Sequence, residues 1–363
     1  MNQSHIHPHL DPAHLRSPIE PAHKGRAQRL VEVAERIGFV RTARGLHDHV
    51  TPGITILAYH RVIPTDALDN YHLDQQLISA TPAQFEWQMR HIREHLNPIS
   101  LSGVIAHLDA GDPLPKSAVA VTFDDGFSDT YRYAFPILKR YAIPATIFVS
   151  TGYVDSQQPF WFELTAYLAY KISPRTIELQ DGRTFPSGDS HNERTASLRQ
   201  LQGILKDLPN PQRIALIERW ARQFSTLITH DVTGHSLPIS WDQIHAMAFA
   251  GIDFGSHTIT HPNLTRLSDE ELDYELAQSK HVLEDHVQRP VESIAYPIGT
   301  PSAFDRRVTI ATQRAKFKIG VTYVSGANPI GKINRFELRR HGIGLSMTPS
   351  YFRALTSLPS WLE

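Results

Sequence analysis

The chain has 363 residues, 41% of them hydrophobic, with 20 Gly and 25 Pro, so it can bury a sizeable core and is neither disordered nor fibrous in composition. Lys plus Arg (36) nearly equals Asp plus Glu (37), and the pI near 7.1 leaves no basic field for phosphate backbones, which argues against a nucleic-acid partner. The lack of cysteine excludes disulfides, a thiolate nucleophile, thiolate-bound zinc and iron–sulfur clusters.

The first 26 residues alternate histidine, proline and charge, with no apolar run long enough for a signal peptide or a membrane span, and a cytoplasmic location is expected. Their histidines read as part of a solvated tail. Residues 27–46 then place Leu30, Val31, Ala34 and Ile37 at helical spacing. Short β-rich runs follow at 54–60, 118–125, 145–150, 252–257, 292–297, 319–324 and 336–344, most of them separated by helical patterns near 81–96, 128–141, 268–288 and 301–315. Apolar strands alternating with helices predict an α/β fold with a parallel sheet, and seven strands suggest a barrel. Between about 156 and 245 the alternation gives way to three helical patterns without strands, the mark of an insertion in a loop on the catalytic face. The expected organisation is a tail and helix at 1–50, a catalytic domain at 51–345 carrying the insertion at 156–245, and a C-terminal helix at 346–363.

Two segments at the carboxyl ends of expected strands hold chemistry. In Thr122-Phe123-Asp124-Asp125-Gly126, adjacent carboxylates project in different directions, so one can bind a cation while the other moves a proton; Gly126 suits the tight turn. Taken alone, the doublet reads more readily as the N-cap of the helix that follows. In Gly255-Ser256-His257-Thr258-Ile259-Thr260-His261-Pro262, two histidines four apart can face one cation. With Asp125 they form a two-histidine, one-carboxylate set that leaves coordination positions open for water and substrate.

These motifs resemble those of the polysaccharide deacetylases of carbohydrate esterase family four. The first resembles the family's TFDDG, and His257 through His261 resembles its second motif, histidine, Ser or Thr, two residues, histidine. The similarity extends to the sequences at 57–62, 81–89, 141–154 and 295–299. The resemblance implies a distorted (β/α) barrel and metal-dependent removal of N-acetyl, in some members O-acetyl, groups from sugars. It makes Asp124 the general base and Asp125, His257 and His261 the ligands of a divalent metal, zinc first, with cobalt, nickel or manganese as alternatives. It puts an oxyanion-hole N–H on Ile298, within Tyr296-Pro297-Ile298-Gly299, with Tyr296 at the substrate. Many members carry an arginine at the position of Ala295 to orient the base, and it is missing here. The subgroup with a YHRV-like first strand, which includes exopolysaccharide and poly-N-acetylglucosamine deacetylases, resembles this chain better and places His60 at the pocket.

In Leu338-Arg339-Arg340-His341 the family's final motif would make His341 the general acid, but the spacing is one residue longer, and one step along a strand reverses the side-chain face. A packed His341 is the alternative. Trp161 and Glu163 open the insertion, either as sugar contacts or as core. The expected partner is an N-acetylated glycan or sugar precursor, and the rival readings are a glycosidase or a non-catalytic carbohydrate-binding protein on the same fold.

Overall fold

The computed structural model describes residues 53–357 apart from 69–70, 72, 172–175, 180–181, 183, 187–189 and 224–236. The expected tail and helix at 1–50, and the end of the C-terminal helix after residue 357, lie outside the described residues.

A nine-stranded sheet organises the molecule: β1 Gly53–Tyr59, β2 Asn97–Pro98, β3 Ala118–Phe123, β4 Ala145–Val149, β5 Asp253–Ser256, β6 Ser293–Ala295, β7 Ile319–Val321, β8 Asn328–Pro329 and β9 His341–Gly342. Every neighbouring pair is parallel except β1 with β8. All six residues of β3 and all five of β4 are buried, as expected of strands covered on both faces, which is why they read as unbroken apolar runs. The order β7-β6-β5-β4-β3-β1 curls, and residues 335–343 join its two edges. On one side Leu338 bridges Val321 and donates its N–H to Gly320 O at 3.0 Å. On the other, His341 and Gly342 pair with Leu57 and Ala58, and Ile343 N–H reaches Ala58 O at 2.9 Å. The expected distorted (β/α) barrel is thus present.

All seven expected strands occur, although the last pairs with β1 over only two residues. The two-residue strands Asn97–Pro98 and Asn328–Pro329 carry no periodicity to read. The helix Pro82–His95 starts at a reciprocal cap between Thr81 and Gln84, and Asp269–Val287 at one between Ser268 and Glu271. The helices Leu101–Ala110 and Trp241–Phe249, not expected, also begin at capping serines, Ser100 and Ser240. The helix Pro349–Ser357 lays Phe352 and Leu355 on the main core.

In the insertion, helices Trp161–Lys171, His191–Asp207 and Asn210–Gln223 stand where the three patterns put them. The expectation of no strands is corrected by a hairpin, Thr176–Glu178 with Thr184–Pro186, too short to show alternation. Phe160, Leu168, Leu201, Leu205, Leu216 and Trp220 of the insertion are buried in a second core that also takes in Phe127 of the barrel. Among the described residues no helix is long and apolar enough to cross a membrane.

Candidate metal centre

β3 delivers the carboxylate doublet. After Phe123 the chain turns through Asp125 (φ 68°) and Gly126 (φ 80°), with Gly126 N–H donating to Asp124 O at 2.8 Å. The left-handed conformation at Asp125 sends the two carboxylates to different partners, and both are engaged away from the following helix, so the doublet is no helix cap.

The histidines follow β5. His257 Nε2 and His261 Nε2 lie 3.4 and 3.3 Å from the same oxygen, Asp125 Oδ1, and the three ligand atoms fall within 4.8 Å of one another. His257 Nδ1 is 2.8 Å from Ala295 O; a neutral ring donating there presents its Nε2 lone pair to the carboxylate. Acceptor facing acceptor inside a buried site is unfavourable, and a divalent cation resolves it, so the residues fit such an ion. Burial drives the His261 pKa down to about 4, keeping it in the neutral form a ligand needs.

The loop bearing the histidines is gripped from three sides. Glu275 accepts Ile259 N–H (2.7 Å), Thr260 N–H (3.0 Å) and Thr260 Oγ1 (2.5 Å). From the insertion, Arg213 donates to Thr260 O (2.9 Å) and His261 O (3.2 Å), and Trp161 Nε1 donates to His261 O (3.2 Å). Beneath it, Thr151 and Gly152 N–H groups hold Thr258 O and Ile259 O, each at 3.1 Å. Thr258 and His261 are themselves left-handed, as is Ile298, so the site concentrates non-glycine residues in a region that costs about 1–3 kcal/mol each.

A guanidinium reaches the base instead from the segment just before β9. Arg340, fully buried, donates from Nη1 to Asp124 Oδ1 and from Nη2 to Asp124 Oδ2, each at 2.7 Å, while its Nε holds Thr322 O at 2.8 Å. Burial would raise Asp124, but this bidentate pair keeps its carboxyl below the usual range. Sequence reasoning did not assign Arg340 this contact; the signal that could have pointed to it is the lack of an arginine at Ala295 to orient the base. The extra residue in the Leu338–His341 run has the consequence its spacing implied: position 340 faces the base, and His341 turns away, buried, with Nδ1 3.0 Å from Ser325 Oγ. His341 is not among the residues that line the described cleft.

A cavity of about 340 Å³ opens over the centre. His60 lines it, with Nε2 4.0 Å from Asp124 Oδ2 and its ring edge against Tyr323. Ile298 lines it too, and among the described residues no acceptor takes its N–H. Tyr296 borders the cleft, but its ring stacks on Phe304 and its hydroxyl donates to Phe336 O at 2.9 Å, so the side chain expected at the substrate belongs to the core. Of the insertion's opening pair, Trp161 both lines the cavity and supports His261, whereas Glu163 is wholly buried against Arg61 at 2.8 Å.

The family model for polysaccharide deacetylase matches residues 111–320, more than half of the chain. The chain belongs to the polysaccharide deacetylase family. The poly-β-1,6-N-acetyl-D-glucosamine N-deacetylase of Staphylococcus aureus is 33% identical over 108 residues, which is 28% of this chain and 37% of that relative. The chain therefore matches little more than a third of the length of such curated family members. Among solved structures, the Streptococcus pyogenes deacetylase PplD in complex with acetate superposes with a TM-score of 0.55 at 22% identity, covering 83% of this chain and 97% of that one. IcaB from Ammonifex degensii gives 0.52 at 19% identity, covering 84% and 96%. Both similarities establish the deacetylase fold. The expected cytoplasmic location does not stand, because the Staphylococcus relative is named for a finished polymer, poly-β-1,6-N-acetyl-D-glucosamine, and not for a small sugar precursor.

Proposed function

We propose that the chain is a metal-dependent hydrolase that removes N-acetyl groups from a glycan, with a β-1,6-linked N-acetylglucosamine polymer, for which the Staphylococcus relative is named, as the substrate class. One observation carries the reading: Asp125, His257 and His261 converge on one point beside an Arg340-held Asp124, in a cleft open to a ligand.

Asp125, His257 and His261 would hold the ion, and two imidazoles with one carboxylate suit zinc first, then cobalt, nickel or manganese. A divalent ion held there would polarise the acetyl carbonyl and make water more acidic. Asp124, kept ionised and fixed in orientation by Arg340, takes a proton from the attacking water. The Ile298 N–H, at the cleft and without an acceptor among the described residues, would donate to the oxyanion as the new C–O bond forms. His60 replaces His341 as proton donor to the leaving nitrogen, since it is the imidazole that faces the cleft beside Asp124. The C–N bond breaks, and acetate and a free amine leave.

The test is an acetate-release assay on N-acetylglucosamine oligomers with zinc supplied to stripped protein, scoring free amines and reducing ends in parallel. Acetate with matching amines supports the reading. New reducing ends without acetate would make the protein a glycosidase, and binding without either product a carbohydrate-binding protein.

A further inference from the structure

We propose that Asp74, Gln202 and Lys206 form a sugar subsite in the wall of the catalytic cleft, built where the insertion meets the barrel, that takes the vicinal hydroxyls of an uncharged pyranose beside the acetylated one. The proposal rests on the deacetylase reading of the cleft and adds to it which part of the substrate the insertion reads.

Asp74 is held from three directions. Its Oδ1 accepts Gln76 N–H at 3.0 Å, its Oδ2 accepts Gln202 Nε2 at 3.2 Å, and its own N–H donates to Glu163 Oε2 at 3.3 Å. Glu163 is in turn fixed by Arg61, so the carboxylate is tied to the buried interior of both barrel and insertion. Lys206 lies one turn beyond Gln202 on the helix His191–Asp207, on the same face, and lines the same cavity. Among the described residues its ammonium has no hydrogen bond or ion pair. Gln202, one turn before it, already reaches Asp74, so Lys206 and Asp74 stand on the same wall of the cavity.

An ammonium brings three donors, and a carboxylate about four acceptor positions, of which Asp74 has spent two. The wall therefore offers spare donors beside spare acceptors. An anionic glycan would meet Asp74, and a cationic amino sugar would meet Lys206. A pair of adjacent hydroxyls, each able to donate and accept, satisfies both without unpaired charge. Because the cavity continues from this wall to Asp124 and the histidines, the sugar read here is a neighbour of the one that reacts, and an oligomer is favoured over a monosaccharide.

The experiment compares kcat/KM for acetate release from N-acetylglucosamine and from its β-1,6-linked tetramer, using the zinc-loaded full chain and the variants Lys206→Met and Gln202→Leu. The parent is expected to prefer the tetramer, and Lys206→Met to lose about 10-fold of that preference, the loss expected of one charge-assisted hydrogen bond. A parent without preference, or variants that keep it in full, would overturn the subsite. If the parent releases no acetate from either substrate, the deacetylase reading fails, and tetramer binding by calorimetry decides the subsite: about 10-fold weaker binding to Lys206→Met supports it, equal binding overturns it. A Lys206→Met variant that binds the neutral tetramer as the parent does but takes up the fully deacetylated, cationic tetramer more tightly would show a charge filter and also overturn it.

Discussion

Arg340 and Asp124 form a pair in which each residue depends on the other. Removing the guanidinium leaves a buried carboxylate without its countercharge, at a cost of about 3–5 kcal/mol. For Arg340→Gln, the Asp124 pKa should rise, because burial then acts unopposed by that charge. Turnover should fall about 10- to 100-fold and the acidic limb of the pH–rate profile should move to higher pH; a limb that stays put would show that Arg340 does not set the state of the base. Asp124→Asn should hold metal at parental stoichiometry, measured by atomic emission, while turnover drops about 10²- to 10⁴-fold. The doublet and the histidine pair were legible because their residue types stand in short motifs at strand ends. Arg340 was not, since it reaches Asp124 across 216 residues of sequence and no local pattern names the carboxylate it will meet.

At the scale of elements, the histidine loop is a strained segment whose shape is imposed by its neighbours. Arg213 belongs to the insertion yet holds two carbonyls of that loop, so Arg213→Met should weaken metal binding about 10-fold or more in a chelator competition, ahead of any loss of fold seen by circular dichroism. Gly152 sits under the same loop, where a Cβ would come 2.9 Å from Ile259 O. Gly152→Ala should therefore displace the loop, lowering the unfolding midpoint by an amount worth about 1–3 kcal/mol together with metal affinity. Metal affinity unchanged in both variants would mean that the loop keeps its geometry unaided. Sequence periodicity located the long helices well, because each buries one stripe over several turns. It could not show that the insertion helices reach back to the metal loop, a contact made by single side chains.

On the scale of the molecule, the insertion is joined to the barrel by a buried charge cluster in which one guanidinium, Arg61, serves two carboxylates, Asp129 and Glu163, each at 2.8 Å. One cation cannot neutralise both, and burial, aided by Asp74, pushes Glu163 up to about 7 from 4.5 despite Arg61. The folded chain then keeps a proton between about pH 4.5 and 7 that the unfolded chain releases, so stability should fall through that window by about 3 kcal/mol as pH rises. Urea unfolding at pH 5 and pH 8 should show this slope in the parent and its loss in Glu163→Gln; equal slopes in the two would remove Glu163 as its source. An insertion that shares its core with Phe127 of the barrel and supplies both cleft wall and loop support should not be separable from catalysis. Deleting residues 190–223 is accordingly expected to lower metal affinity as well as change glycan selectivity.

The joining of the sheet edges by residues 335–343 has a temporal consequence. During synthesis the metal-binding side chains and the base emerge well before the segment that shuts the curl, and that segment carries the guanidinium. A nascent chain paused before residue 335 would hold an open sheet edge and an uncompensated Asp124, which favours a protonated, inert carboxyl in a poorly packed interior. Competence for hydrolysis would therefore arrive in one late step, coincident with closure, and ribosome-stalled chains of increasing length should pass abruptly from inactive to active once residue 343 has cleared the exit tunnel.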